Sequence, residues 1–192
     1  MTQFEQEQAA KKFVEFWKNK GDEKSDTQSF WISLLHDVFG VDDPTKFIEF
    51  EKRVKIENKS FIDGYIPSTK VLIEQKSISK DLNKPELQSD KTELTPYGQA
   101  KRYSDNLDYN ERARWIITCN FKEFQIYDMD KIHSEPIILK LEELPKQYYV
   151  LQFLIDSKDI EIQKEEEVSF KAGELVGKLY DETVSYTHLT LP

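Results

Sequence analysis

The chain predicts an α/β fold of the α+β type, a mixed β-sheet flanked by helices. Three observations carry this. Two amphipathic helical stretches open the sequence, several short β-like segments with tight connections follow, and a proline-started helix separates them from a second strand pair. The resulting order is α-α-β-β-β-α-β-β.

The first helix shows in Ala10, Phe13, Val14 and Trp17 at helical spacing, with Gly21 as its stop. In the second, Ser25 or Asp26 is the expected N-cap. Phe30, Trp31, Leu34, Leu35, Val38 and Phe39 form one wide apolar stripe ending at Gly40. Neither helix carries a chemical motif, so their aromatics read as core. The period then changes to two. From Phe47 to Ile56, the set Ile48, Phe50, Lys52, Val54 and Ile56 alternates with charged neighbours, which predicts a strand with one buried face. Ser60–Ile66 and Lys70–Ile78 read as two more strands, with Pro67-Ser68 at the turn between them. Such short connections require an antiparallel meander.

A polar stretch, Ser79–Leu94, is long for a structureless loop and marks a functional or mobile segment. Thr95-Pro96 opens a helix to about Asn106, with threonine as cap and proline at the first helical position. Trp115–Cys119 and Phe124–Tyr127 read as strands joined by a tight turn at 120–123. Leu144–Ile155 reads as a helix, and after Glu165-Glu166-Glu167 a last helical pattern runs through Ala172, Leu175, Val176 and Leu179. That helix has nothing left in the chain to pack against. Ser185–Pro192 breaks its periodicity and reads as a tail foreign to the natural protein.

Composition narrows the classes. The 192 residues hold 36 acidic and 27 basic side chains, a formal charge of −9, yet 12 Phe, 9 Tyr and 3 Trp supply a core and argue against wholesale disorder. No window approaches a membrane span, and MTQFEQEQAAKKF has neither the basic nor the apolar part of a secretory signal. The expectation is a soluble, cytoplasmic protein with no membrane partner. A single cysteine, Cys119, excludes an internal disulfide and a cysteine-based zinc cage. The acidic balance disfavours a simple DNA-wrapping protein but not a carboxylate enzyme acting on DNA.

The chemistry lies in Phe61–Ser77. Asp63 sits on the second strand, and Glu74 and Lys76, two apart on the third, share one face. A hairpin brings Asp63 alongside them. Two carboxylates plus a backbone carbonyl such as that of Gln75 are hard oxygen ligands suited to Mg²⁺. Lys76 beside the metal can orient or help deprotonate an attacking water and stabilise charge on a phosphate. The tripeptide Glu-x-Lys carries no weight alone, since it occurs twice. Glu57-Asn58-Lys59 lies in a polar, turn-like context, whereas Glu74-Gln75-Lys76 extends the apolar run Val71-Leu72-Ile73, where charges are costly unless paired or metal-bound. A surface-facing edge strand is the alternative. Downstream, Gln99 and Tyr103 stand four apart on one helix face.

This order of helix, Asp…Glu-x-Lys hairpin and Gln-x-x-x-Tyr helix resembles the PD-(D/E)xK nuclease superfamily. The segments GDEKSDTQSFWISLLHDVFGV, Asp-Gly-Tyr-Ile and LTPYGQAKRYSDNL are more narrowly similar to the N-terminal part of the MmeI-like restriction-modification proteins, over roughly residues 10–180. The resemblance implies a restriction-endonuclease-like core and a DNA endonuclease activity. It implies Asp63, Glu74 and Lys76 as catalytic, Asp63, Glu74 and Gln75 as Mg²⁺ ligands, and Gln99 and Tyr103 as supporting or substrate-positioning residues. It further implies an endonuclease-like domain over 1–145, the start of a helical spacer over 146–184, and a partner in double-stranded DNA. Adenine methylation, S-adenosylmethionine binding and target recognition would belong to downstream domains absent from these residues. Double-strand cutting would need two active sites, so transient dimerisation is a reasonable expectation.

Blander readings stand beside these. Asp63 can be a turn residue before Gly64, and Gln99 and Tyr103 ordinary helix positions. His36, His133 and His188 share no ligand or triad spacing. Cys119 reads as a buried strand residue rather than a nucleophile. Lys101, Arg102, Arg112 and Arg114 can meet phosphates, although solvated surface is the plainer account of any one of them. Six glycines form no phosphate loop. The rival to the nuclease is a non-catalytic interaction module of a DNA methyltransferase with an idle nuclease fold. A purely structural domain would instead leave the carboxylate hairpin splayed and exposed.

Overall fold

A computed structural model describes residues 1–56, 60–88, 90–131, 133–156, 165, 168–170, 172–173 and 175–180. Helix α1 (Gln3–Trp17) starts with a capping box, Thr2 with Glu5, and buries Ala10, Phe13 and Trp17. Helix α2 (Glu23–Ser33) is capped by Asp22, whose carboxylate accepts from Lys24 and Ser25. This corrects the expected cap at Ser25 or Asp26. Both of those residues lie inside the first turns, because Asp22 already holds the extended backbone a cap requires. The helix widens into a π turn over Leu34–Val38, and all six residues of the apolar stripe are buried. A short helix α3 (Pro44–Phe47) then leads into the sheet.

Strands β1 (Glu49–Val54), β2 (Ser60–Ile66) and β3 (Val71–Gln75) form the antiparallel meander. Helix α4 (Pro96–Asp105) crosses over to β6 (Trp115–Cys119), which pairs parallel to β3 and so makes the sheet mixed. Strands β7 (Glu123–Asp128) and β8 (Ile137–Lys140) complete the order β1-β2-β3-β6-β7-β8. The polar stretch 79–94 is not wholly irregular, since β4 (Glu86–Leu87) and β5 (Glu93–Leu94) pair as a small separate hairpin. The sequence does not predict strand β8, its four residues being too few to show a period.

The two sheet faces carry separate apolar clusters. Helices α1 and α2, the π turn, helix α5 (Leu144–Gln147) and the 3₁₀ stretch Tyr148–Leu154 cover the larger cluster, with Phe30, Trp31, Phe121 and Phe124 at its centre. Helix α4 covers the smaller one with Ala100 over Ile62, Tyr65, Leu72 and Ile116. The predicted helix over 144–155 thus splits into one α turn and a tighter 3₁₀ run. From Tyr148 to Leu154 five side chains enter the main core.

The single buried face expected for residues 47–56 is also corrected. Ile48 and Phe50 pack in the larger cluster, whereas Val54 and Ile56 pack in the smaller one. The alternation breaks at Glu51, whose φ of 52° is left-handed. The ladder pairs Phe50 with Gly64 and Lys52 with Ile62 but leaves Glu51 and Asp63 out. Strand β2 switches faces at the same place, with Ile62 and Tyr65 both in the smaller cluster. The ribbon therefore turns over at Glu51 and Asp63 without changing register.

Beyond the core, the described residues from 165 to 180 are helical, and Val168, Leu175, Val176 and Leu179 are exposed. The tail from 185 and the Glu57-Asn58-Lys59 tripeptide lie outside the described residues. No helix among the described residues is long and apolar enough to cross a membrane.

Candidate active site

The site forms where β2 and β3 part. Their pairing ends at Gly64 and Ile73. The next antiparallel rung would join Gln75 to Ile62, but β2 has turned over. The Gln75 backbone N–H instead donates to Asp63 Oδ2 at 2.7 Å. A strand residue's N–H and C=O point to the same side, so the Gln75 carbonyl also faces the Asp63 side. The neighbouring Lys76 N–H points the other way, to the Cys119 carbonyl of β6 at 2.7 Å.

Glu74 and Lys76 lie on the α4 side of the sheet, beneath that helix. The Lys76 ammonium donates to Glu74 Oε1 at 2.7 Å and to Gln99 Oε1 at 3.2 Å. Gln99 Nε2 in turn donates to the Tyr103 hydroxyl at 3.0 Å, which also bonds Ser60. The one-face placement of Gln99 and Tyr103 on α4 is thus realised in a continuous chain from Lys76. Glu74 and Lys76 are 1% and 7% exposed, so this hairpin is neither splayed nor solvated.

Burying this much charge is costly, and the carboxyls register it. Burial pushes Asp63 up to about 6, opposed by the Gln75 amide and Lys76 and reinforced by Glu23 and Glu51. Burial and the Asp63 charge push Glu74 up to about 8 despite the Lys76 contact. Burial presses the Lys76 ammonium down, but Glu74 and Asp63 outweigh it and hold the group above its ordinary range. Lys76 thus stands as a hydrogen-bond donor to Glu74 and Gln99. Glu74 Oε2 is buried and, among the described residues, meets no hydrogen-bond donor. A buried, orphaned carboxylate oxygen beside a second carboxylate fits a divalent cation, with the Gln75 carbonyl as a further hard donor. The Gln75 side chain is otherwise engaged, so only its backbone oxygen is available. Among the described residues no three His, Cys, Asp or Glu side chains gather as a metal cluster. A cation here would rest on two carboxylates with carbonyl and solvent oxygens.

The sequence pattern does not point to two residues of this neighbourhood. Glu23, in the first turn of α2, accepts the Ser77 N–H at 3.1 Å and adds its negative charge to Asp63 and Glu74. Placing the helix cap at Ser25 or Asp26 leaves Glu23 in a loop, whereas Gly21-Asp22-Glu23 was the available signal for an earlier start. Trp31 donates its indole N–H to Gln75 Oε1 at 2.9 Å, while Gln75 Nε2 donates to the Lys76 carbonyl at 3.0 Å. A tryptophan in an otherwise aliphatic and phenylalanine stripe needs such a partner, which was the clue. Helix α2 is thus fastened to the site strand at both of its ends.

A family model described as "MmeI, N-terminal domain" matches residues 8–183, most of the chain. The chain belongs to the MmeI N-terminal domain family. The match places it in a restriction-modification context, and the mixed sheet flanked by helices is consistent with a restriction-endonuclease-like fold. No curated protein and no solved structure matches the chain. Within this MmeI-type domain Cys119 is a buried strand residue whose thiol burial pushes up to about 12, as expected of a structural cysteine.

Proposed function

We propose that this domain is an Mg²⁺-dependent DNA endonuclease that hydrolyses phosphodiester bonds without a covalent intermediate. The observation that carries the reading is the buried Glu74–Lys76 pair, with its orphaned Glu74 oxygen and its electrostatic coupling to Asp63. Asp63, Glu74 and the Gln75 carbonyl are the residues that would hold the metal. When bound, Mg²⁺ supplies Lewis acidity toward the phosphate and lowers the pKa of water.

The remaining roles belong to the chain. Lys76, kept protonated by its carboxylate neighbours, donates toward the attacking water or the phosphate oxygens. Gln99 holds the ammonium from the α4 side, and Tyr103 fixes the Gln99 amide so that its oxygen faces Lys76. Trp31 holds Gln75, and through it the peptide joining the carbonyl ligand to Lys76. The proposed setting is the N-terminal endonuclease region of a restriction-modification protein, acting on double-stranded DNA beside separate methylation and recognition domains.

Calorimetric titration of the chain with Mg²⁺ and Mn²⁺, beside Glu74→Ala, tests the site directly. Binding that disappears in the variant is the expected result, with cleavage by the parent protein abolished in Asp63→Ala and Lys76→Ala. Cleavage that survives in both variants overturns the assignment. Absence of metal binding in the unaltered chain would favour the idle interaction module.

A further inference from the structure

The Gln99–Tyr103 end of the site opens into a small polar cleft between α4 and the β4–β5 hairpin, lined also by Ser60, Gln88, Asp90 and Arg102. Arg102 lies one helical turn from Gln99, on the same helix that reaches Lys76. Among the described residues its polar contacts run through Nη1, to Asp90 Oδ2 at 2.5 Å and Thr92 Oγ1 at 3.3 Å. Among the described residues Nε and Nη2 meet no acceptor, and the side chain is about one-third exposed at 36%. One edge of a planar five-donor fork is thus held while the other stays open, which suits bidentate capture of a phosphate.

Nearby cations are differently placed. Lys101 is paired with Asp105, Lys80 with Glu86, and Arg114 with both Asp128 and Asp130. None of these lines the cleft. The Arg102 anchor is itself well braced. Asp90 also accepts from the Thr92 N–H and hydroxyl, at 3.0 and 2.6 Å, in the turn of the hairpin. The Thr92 bonds and Arg102 hold its carboxyl down at about 2, so it stays ionised opposite the guanidinium.

We propose that Arg102 is a phosphate-binding residue whose open guanidinium edge takes a DNA backbone phosphate neighbouring the one at the carboxylate site, with Asp90 and Thr92 orienting it. The proposal rests on the endonuclease reading for its ligand, a duplex DNA phosphodiester. A purely structural Arg102 would do no more than strap the hairpin to α4.

Fluorescence anisotropy of a short labelled duplex, with Ca²⁺ in place of Mg²⁺ to suppress cleavage, separates these roles across a salt series. Arg102→Ala is expected to weaken binding about tenfold and to reduce the salt slope by about 1. Arg102→Lys should recover part of the affinity, as a point charge without the fork. Asp90→Asn keeps an acceptor but removes the opposing charge, so binding should tighten by about threefold at low salt. A strap alone would loosen the hairpin in both variants and move binding the same way in each. Shifts of the same sign, an Arg102→Ala variant that binds like the parent, or a parent chain that binds no duplex overturns the proposal. Inorganic phosphate at matched ionic strength should leave the parent curve in place; displacement by it would mark a free-phosphate site and overturn the DNA assignment. Mg²⁺ calorimetry on Arg102→Ala should match the parent, so a failed metal site and a failed phosphate site give separate signatures.

Discussion

Asp63→Asn should make the metal-free protein more stable at pH 8, although it removes a central residue of the site. Burial lifts the carboxyl from its ordinary 3.8 to about 6. At 1.36 kcal/mol per pKa unit, ionising it inside the fold costs up to about 3 kcal/mol more than in the unfolded chain. The sign follows from proton binding. Between these two values the folded state holds the extra proton, so stability falls as pH rises from about 4 to about 6, and the full cost persists above. Asparagine removes that cost and still offers an oxygen to the Gln75 N–H. Because the side chain retains some solvent contact, the expected gain shrinks to about 1–2 kcal/mol. Urea denaturation in EDTA at pH 4 and pH 8 measures it. The gain should appear at pH 8 and vanish at pH 4, where the parent carboxyl is already protonated. Equal or lower stability of the variant at pH 8, or the same gain at both pH values, would falsify the claim that this carboxylate is held at a cost to the fold.

Added Mg²⁺ should raise the denaturation midpoint of the parent and leave that of Asp63→Asn where it was, since only ligands bound by the native state stabilise it. Trp31→Phe leaves Gln75 Oε1 without its indole donor and opens a small void at a fully buried position. The expected loss is about 2–4 kcal/mol by chemical denaturation, with weaker Mg²⁺ binding; a loss below about 0.5 kcal/mol would count against the clamp. Cys119, fully buried and with its thiol pushed up to about 12, should resist a thiol reagent at pH 8 until the protein unfolds. Labelling of native protein at the unfolded rate would refute its placement.

Much of the architecture was legible because its elements have strong local causes. Ser60–Ile66 and Trp115–Cys119 match their expected limits, and Thr95-Pro96 starts α4 as threonine and proline should. The apolar stripe from Phe30 to Phe39 gave the core face of α2 even though its last turn is a π turn. What stayed hidden depends on partners distant in the chain. The face switch at Glu51 leaves a deceptively regular alternation from Ile48 to Ile56, since period-two reasoning assumes an unbroken pleat. The Asp63, Glu74, Lys76 and Gln99 neighbourhood was foreseeable from spacing and resemblance together, because a hairpin and one helix face constrain them tightly. Glu23 and Trp31 reach the site from α2, more than forty residues upstream of Lys76. Only the packing of α2 against the sheet makes them neighbours of Gln75 and Ser77.

The turnover at Glu51 and Asp63 has a consequence for how such a site can arise and be lost. Sheet regularity and chemistry compete here for one backbone N–H. Had β2 kept its pleat, Ile62 would supply the rung, Gln75 would be closed off by a carbonyl, and Asp63 would have nothing to fasten it. Losing either Glu51 or Asp63 alone shears the ribbon by one residue. Losing both restores a flawless ladder and erases the acid. The flaw and the candidate ligand occupy the same residue, so drift toward a tidier sheet at this point would be drift away from the proposed site.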